Sequence, residues 1–162
     1  MFFRLPLFFA ALCISFSLPS SATEPAPDFT LTTFPSNAEI SLKNFRGRVV
    51  YLDFWATWCP PCRQSFPWMD EMHERYKDEG LSIIAVSVDK KRELVERFTQ
   101  QTKPAFIIAH DPTGTVAQRY KLRAMPTTYL IDKNGQLVMT HKGFRTEDQD
   151  KLEAAIQSLL EK

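Results

Sequence analysis

The stretch that decides the fold runs Tyr51-Leu52-Asp53-Phe54-Trp55-Ala56-Thr57-Trp58-Cys59-Pro60-Pro61-Cys62. It begins with an apolar, aromatic-rich run that predicts a buried strand over residues 49–55. The two prolines between the cysteines are compatible with a helix start, because the first helical positions need no backbone N–H donor. The sequence therefore predicts a strand, a short turn and then a helix that begins at the cysteine pair.

The spacing of the two cysteines suits redox chemistry. Cys59 is expected at a helix N-terminus, where the positive end of the helix dipole favours the thiolate. Cys62 follows one helical turn later and is close enough to close a short disulfide. The pair can therefore carry two electrons and cycle between dithiol and disulfide. A fixed structural disulfide is one alternative, although a bridge that closes so short a loop contributes little stability.

A zinc site is another alternative for these cysteines. Such a site needs about four ligands. The chain offers no second cysteine pair, and its histidines His73, His110 and His141 are scattered along the sequence. We therefore expect no metal and no cofactor other than the redox-active disulfide itself. His73 and His141 are expected to have no catalytic role.

Length and composition indicate an ordinary globular domain. The chain has 162 residues, of which 44% are hydrophobic and 24% charged. These values are typical of a soluble protein with one core. The formal net charge is +1, which argues against nucleic-acid binding through a basic, phosphate-facing patch.

Residues 1–22 have the layout of a secretory signal peptide. The positive residue Arg4 precedes a mostly apolar run over residues 5–18, and small residues at 20–22 offer a cleavage site. The apolar run is short for a bilayer span, which needs roughly 20 residues. An uncleaved membrane anchor through residues 5–18 is the alternative. A lipid anchor on Cys13 is disfavoured because the bulky Leu12 precedes it.

Cleavage after Ala22 would leave a single domain over residues 23–162, with Cys59 and Cys62 as its cysteines. We expect this domain to be periplasmic or otherwise exported. An exported protein meets an oxidising compartment. There the pair is either oxidised and inert or kept reduced by a dedicated electron donor.

Strands and helices alternate along this domain. Hydrophobic patterns predict strands over residues 28–31, 39–42, 49–55, 81–88, 105–109, 127–131 and 137–140. They predict helices from the cysteines to residue 79 and over residues 91–102, 113–120 and 146–161. Pro67 is expected to kink the first helix, and residues 24–27 show no core pattern. The predicted α/β fold is a central mixed sheet with helices on both faces.

Several segments resemble a known family. The motif over residues 54–62 resembles the active site of the thioredoxin superfamily. With residues 28–31, 44–50 and 125–132, the chain looks like the exported TlpA/ResA/DsbE-like branch, whose members are often membrane-tethered thiol-disulfide oxidoreductases. Residues 91–109 match the helix–strand insertion typical of that branch. The resemblance covers residues 27–160 and implies a thioredoxin-like fold with an N-terminal β-hairpin.

The resemblance assigns a role to each cysteine. Cys59 is the expected nucleophile, exposed at the helix start, where it forms a mixed disulfide with a substrate. Cys62 is the expected resolving thiol, facing inward, which then attacks that mixed disulfide.

The resemblance also implies a substrate-binding surface. Pro126 matches the family's cis-proline, and the backbone before it pairs with a bound substrate strand, so Met125 is expected to touch the substrate. Trp58 and Pro60 are expected to contribute to the same surface, with Trp58 shielding Cys59. Trp55 is expected to lie in the core.

Two polar positions bear on proton transfer. Thioredoxins carry a buried Asp where this chain has Asp53, proposed to take the proton from the resolving cysteine, whereas TlpA-like proteins more often carry Asn there. Burial raises the pKa of a carboxyl group toward the useful range. The alternative is a surface carboxylate that points outward. Ser65 stands where many reductants of this branch carry Glu, which makes a role in reducing apocytochrome c doubtful.

The predicted function is that of an exported thiol-disulfide oxidoreductase acting on protein thiols and disulfides. The two prolines remove N–H donors near Cys59, so we expect a less acidic thiol and a reductase. A membrane protein of the DsbD type is the expected electron donor. One alternative is a thiol peroxidase, although its Pro-x-x-x-Thr-x-x-Cys loop is absent. Another is a Sco-like copper-binding module, which usually needs one more residue between its cysteines.

Overall fold

The computed structural model describes residues 24–162, so the predicted leader and Cys13 lie outside the described residues. Within that range the strands are β1 (Glu24–Pro25), β2 (Thr30–Phe34), β3 (Glu39–Ser41), β4 (Val49–Trp55), β5 (Leu81–Ser87), β6 (Ile107–His110), β7 (Thr127–Ile131) and β8 (Gln136–Lys142). The helices are α1 (Pro60–Tyr76), α2 (Arg92–Thr102), α3 (Thr115–Arg119) and α4 (Gln149–Leu160), with 3₁₀ turns at Leu42–Phe45 and Thr146–Asp148. None of these helices is long and apolar enough to cross a membrane.

The strands form one mixed sheet in the order β1-β8-β7-β4-β5-β6-β2-β3. The β4–β5 and β5–β6 pairs are parallel, and the other pairs are antiparallel. The N-terminal hairpin β2–β3 joins the sheet through β2, which pairs with β6. The α2–β6 unit extends the sheet beyond β5. The predicted hairpin, the inserted helix and strand, and the mixed sheet are therefore confirmed.

Side chains of β4 alternate between two hydrophobic cores. Tyr51 and Trp55 pack on one face with buried residues of α1, α2 and α4. Leu52 and Phe54 pack on the other face with α3 and the N-terminal segment. Because both faces are covered, every residue of β4 and β5 is buried, as expected for the parallel centre of a sheet. Asp53 shares the first face, the one that α1 covers.

The N-terminal segment differs from the prediction. Residues 24–27 were expected to lack a core pattern, yet β1 pairs with β8 and Ala26 is buried. The Ala26 N–H donates to the Gly135 carbonyl at 3.0 Å, which holds the lead-in against the sheet. β2 begins at Thr30 rather than at residue 28. Asp28 instead accepts a hydrogen bond from Ser41 at 3.1 Å and pairs with Lys43 at 3.0 Å.

Helix α1 ends at Tyr76 rather than at residue 79. The Arg48 side chain donates to the Lys77 carbonyl at 2.8 Å and to the Leu81 carbonyl at 2.6 Å. These bonds satisfy a carbonyl at the helix end and turn the chain into β5. Gly80 occupies this turn with φ +108°, a conformation that favours glycine. Pro67 lies inside α1 on its exposed side.

Candidate active site

The cysteine pair lies beyond the C-terminal end of β4, where residues 56–58 lead into α1. A disulfide joins Cys59 and Cys62, with an S–S distance of 2.01 Å and a Cα–Cα distance of 5.3 Å. The Cys59 N–H donates to the Ala56 carbonyl at 3.1 Å, which closes the turn before the helix. The predicted strand, turn and helix are confirmed at this junction.

Cys59 is the N-cap residue of α1, and Pro60 and Pro61 fill the first two helical positions without N–H groups. The Arg63 N–H donates to the Cys59 carbonyl at 3.2 Å. Among the described residues, the Cys62 N–H has no backbone acceptor. An N-cap side chain ordinarily accepts from the N–H of the second or third helical residue. A Cys59 thiolate therefore has one helical N–H, that of Cys62, free to stabilise it.

The exposure of the two cysteine residues differs partly from the prediction. Cys62 is fully buried, as expected for an inward-facing residue, but Cys59 is only 5% exposed rather than open to solvent. In the disulfide, Cys59 is bonded to a buried partner and belongs to the same hydrophobic cluster as Trp55 and Phe66. Trp58, by contrast, is 64% exposed. Trp58 therefore offers solvent a large apolar surface next to a cysteine that is nearly buried.

Asp53 is buried on the α1 side of the sheet, 1% exposed, so the outward-pointing alternative is wrong. It pairs with Thr128 across the β4–β7 ladder. The Thr128 hydroxyl donates to Asp53 Oδ1 at 2.8 Å, whereas Oδ2 has no hydrogen-bond partner among residues 24–162. Burial raises the pKa of Asp53 to about 7, and the Thr128 hydrogen bond opposes that rise. Near neutral pH this group can therefore exist in either protonation state.

Tyr51 completes this polar pocket. Its hydroxyl oxygen lies 3.0 Å from the Thr128 hydroxyl oxygen. The Thr128 hydroxyl is oriented to donate to this oxygen as well as to Asp53 Oδ1, and because a threonine hydroxyl has a single proton, it makes only one of these bonds at a time. Burial and the nearby Asp53 charge raise the pKa of Tyr51. Tyr51 therefore stays protonated, and its hydroxyl oxygen competes with Asp53 for the Thr128 proton.

A second buried carboxylate, Asp89, holds the turn before the cysteines. Its side chain accepts from the Thr57 N–H at 2.8 Å, from the Thr57 hydroxyl at 2.8 Å and from the Ser87 hydroxyl at 2.9 Å. His110 Nε2 lies 2.7 Å from the Asp89 carbonyl oxygen. Because Thr57 stands two residues before Cys59, these bonds fix the course of the chain as it approaches Cys59.

The peptide bond between Met125 and Pro126 is cis, as predicted. Phe54 pairs with Thr127 across the β4–β7 ladder. This register places the Met125–Pro126 bond at the end of the sheet from which the cysteine turn departs. Pro126 is buried, and the half-buried Met125 packs against the cluster that contains both cysteines.

A family model described as Redoxin matches residues 21–156 of this chain. The chain belongs to the Redoxin family. The thiol-disulfide oxidoreductase ResA of Bacillus thuringiensis subsp. konkukian is 38% identical over 124 residues, which cover 76% of this redoxin and 71% of that protein. The ResA protein of Geobacillus kaustophilus is 39% identical over 123 residues, covering 76% of this chain and 70% of its own length.

Solved structures of thiol-disulfide proteins share the fold of this redoxin. A crystal structure described as thiol:disulfide interchange protein DsbE, from Chlorobium tepidum, superposes with a TM-score of 0.82 at 43% identity and covers 85% of this chain and 96% of its own. The pneumococcal exposed lipoprotein thioredoxin Etrx1 from Streptococcus pneumoniae superposes with a TM-score of 0.73 at 28% identity, covering 82% of this redoxin and 100% of its own chain. This redoxin is thus a thiol-disulfide oxidoreductase with a thioredoxin-like fold.

This redoxin differs at Ser65 from the family pattern that its sequence otherwise resembles. Ser65 is buried one helical turn after Cys62. Its hydroxyl donates to the Cys62 carbonyl at 2.7 Å. This side chain therefore steadies the first turn of α1 and offers no carboxylate to the sulfurs. Of the tryptophans, Trp55 is fully buried, as predicted, and packs against Phe66 with ring centroids 4.7 Å apart.

The sequence pattern missed the residues that support the site. Asp89 stands two residues after the end of β5, the parallel neighbour of β4, and polar residues at that edge of a sheet are candidates for a site. Thr128 lies in a fully buried strand, where a polar side chain calls for a partner. Across residues 24–162, no three histidine, cysteine or acidic side chains come together as metal ligands.

Proposed function

We propose that this redoxin is an exported reductase of protein disulfides in which Cys59 attacks the substrate and Cys62 resolves the product. The observation that supports it best is the placement of Cys59 as N-cap of α1, disulfide-bonded to the buried Cys62. The cis-Pro126 bond and the buried Asp53 at the same end of the sheet supply a docking strand and a proton acceptor.

The first step forms a mixed disulfide. In the reduced protein the Cys59 thiolate takes the N-cap acceptor position and receives the Cys62 N–H, while the dipole of α1 favours its charge. It attacks one sulfur of a substrate disulfide, so a bond forms from Cys59 Sγ to that sulfur. The substrate S–S bond breaks, and the second substrate sulfur leaves as a thiolate.

The second step releases the substrate. The Cys62 thiol gives its proton to the carboxylate of Asp53 and attacks Cys59 Sγ. The Cys59–Cys62 disulfide forms, and the remaining substrate sulfur leaves as a thiolate, so two electrons have passed from the cysteine pair to the substrate. The pKa of Asp53, raised to about 7 by burial, suits an acceptor that must take and return a proton near neutral pH.

The cycle requires a dithiol donor that reduces the Cys59–Cys62 disulfide again. We assign this role to a membrane protein of the DsbD type, because the predicted leader sends the domain to an oxidising compartment. Cytochrome c maturation is not part of the proposal, since Ser65 bonds to the backbone where related reductants carry Glu.

Insulin reduction in the presence of dithiothreitol tests the proposal, with peroxide and Cu(I) as parallel challenges. We expect the wild-type protein to accelerate insulin precipitation, Cys59→Ser to abolish the acceleration, and Cys62→Ser to accumulate a mixed disulfide. Equilibration with thiol–disulfide buffers should give a potential more negative than about −200 mV. A potential near about −120 mV, typical of a strong oxidant, would reverse the proposed direction of electron flow.

A further inference from the structure

A groove runs beside the cysteine pair between the first turn of α1 and one face of α2. Thr57 and Pro60, which flank Trp58 and Cys59, line it on the site side. Leu94 and Phe98 of α2 provide an apolar wall. Anything bound in this groove lies directly against the segment that carries the nucleophile.

The apolar part of the groove is partly open to solvent. Leu94 is 37% exposed and Trp58, next to Thr57, is 64% exposed; both are among the few large hydrophobic side chains exposed to this degree within residues 24–162. Phe98 is half-buried and packs on Trp55, with ring centroids 4.9 Å apart. Phe98 therefore packs against the core residue Trp55, while Leu94 offers apolar contact area to a ligand.

The charges at the groove have one sign. Arg63 of α1 and Arg97 of α2 both line it and are exposed. Within residues 24–162 neither forms an ion pair, and no carboxylate lines the groove. On the same helix, Arg92 is instead paired with Glu96 at 2.8 Å and lies over the Phe34 ring.

The helical spacing accounts for which residues of α2 line the groove. Leu94, Arg97, Phe98 and Gln101 recur at three- and four-residue intervals, so they share the face of α2 that lines the groove. Glu96 falls outside that face and pairs with Arg92. Glu93 stands four residues before Arg97, yet within residues 24–162 it neither lines the groove nor pairs with Arg97. Two guanidinium groups thus border an apolar wall, and neither donates a side-chain hydrogen bond to another residue within 24–162.

We propose that this groove binds an acidic segment of the substrate protein, next to the substrate cysteine in sequence and carrying an apolar side chain. The proposal rests on the proposed function and adds a substrate class to it. Guanidinium groups bind carboxylates through paired N–H donors, and the apolar wall receives the neighbouring side chain. Complementary charge of this kind chiefly speeds encounter and fixes orientation.

A set of small peptide disulfides tests the groove. Each peptide carries the same intramolecular disulfide and a Phe, with two Asp, two Ser or two Lys residues beside the second cysteine. We expect reduced wild-type protein to reduce the Asp peptide about fivefold to tenfold faster than the Lys peptide in single-turnover experiments at low salt, with the preference shrinking as salt rises.

Arg97→Glu is the decisive variant, because its side chain lies on α2 and away from the cysteines in sequence. It should lose the preference for the Asp peptide and gain rate with the Lys peptide, an exchange that loss of fold cannot produce. Lys151→Glu makes the same change of charge on exposed α4 surface and should keep the wild-type preference. Lys151→Glu should also leave the potential of the cysteine pair and the rate with neutral 2,2′-dithiodipyridine unchanged, and the peptide rates of Arg97→Glu are compared after division by its own rate with that reagent.

Equal rates for the three peptides in wild-type protein would overturn the inference while leaving the proposed reductase intact. Failure to reduce any of them would instead count against the proposed function. An anionic surface is the competing ligand. If Arg97→Glu releases the protein from phosphatidylglycerol vesicles and leaves the peptide rates unchanged, the groove binds lipid and the inference is wrong.

Discussion

Two buried aspartates lie near the active end of neighbouring parallel strands, and their surroundings differ. Asp53 in β4 and Asp89 after β5 are each 1% exposed. Asp89 accepts from the Thr57 N–H, the Thr57 hydroxyl and the Ser87 hydroxyl. Within the part of the chain that the structure describes, Asp53 accepts from the Thr128 hydroxyl alone, and its Oδ2 has no hydrogen-bond partner.

This difference in hydrogen bonding distinguishes a carboxylate that holds the structure in place from one that can exchange a proton near neutral pH. A buried charge that accepts several hydrogen bonds is compensated and can hold neighbouring groups in place. A buried carboxylate with one donor is poorly compensated, so its pKa rises and its proton becomes exchangeable near neutral pH. Asp89 therefore positions the turn before Cys59, while the proposed function uses Asp53 as the acceptor of the Cys62 proton.

Removal of the Asp89 carboxylate should have the largest effect on stability. Asp89→Ala leaves three donors without their acceptor, and each unsatisfied buried donor costs about 1–3 kcal/mol. We expect the free energy of unfolding of the oxidised protein to fall by about 4–5 kcal/mol in urea denaturation. Asp89→Asn keeps one acceptor oxygen and should lose less. A loss below about 1 kcal/mol for Asp89→Ala would remove the structural role.

Asp53→Asn should change stability in the opposite direction, and only at higher pH. The folded-state pKa of Asp53 is about 7 against a model value of 3.8, so the folded protein binds the proton more tightly than the unfolded chain. Wild-type stability therefore falls as pH rises from about 4 to about 7. The variant lacks this slope and should gain roughly 3–4 kcal/mol relative to wild type between about pH 4 and pH 8.

Urea denaturation of both oxidised proteins across that pH range measures the change. If the free energies of unfolding of Asp53→Asn and wild type differ by the same amount at all pH values, Asp53 is not the group that titrates.

The same Asp53→Asn variant should slow resolution of the mixed disulfide. The loss of a positioned proton acceptor costs about a hundredfold in the step it assists. In wild-type protein the Cys62 step should accelerate as pH rises through about 7, where the pKa of Asp53 places its carboxylate form. Rapid-quench measurement of thiol release from a preformed Cys59 mixed disulfide follows this step. An unchanged rate and pH profile would assign proton transfer to solvent.

The smallest effects should come from two matched Thr→Val changes. Thr128→Val removes the donor that opposes the rise in the pKa of Asp53, so the midpoint of the Cys62 step should move up by about one pH unit. Thr57→Val removes one of three donors to Asp89 and should cost about 1 kcal/mol without moving that midpoint. Equal midpoint shifts in the two variants would erase the distinction between the carboxylates.

Much of the fold was predictable from local pattern. The apolar run before Cys59 and the run beginning at Leu81 indicated buried central strands, and both are buried along their whole length. Boundaries were less predictable where side chains reach across the structure. Arg48 binds the carbonyls that end α1, and the pairing of β1 depends on an edge offered by β8, so neither feature is visible in a local window.

The sequence by itself determined the redox chemistry, because two cysteines one turn apart at a helix start can close a disulfide wherever that turn is placed, and the family resemblance predicted the cis peptide bond at Pro126. Only the tertiary structure decided what each carboxylate does. The burial of a carboxylate and the number of donors around it depend on segments that are far apart in the sequence. Asp53 and Thr128 are separated by 75 residues, and Asp89 and Thr57 by 32 residues. Hydrogen bonds over such distances have no local pattern in the chain.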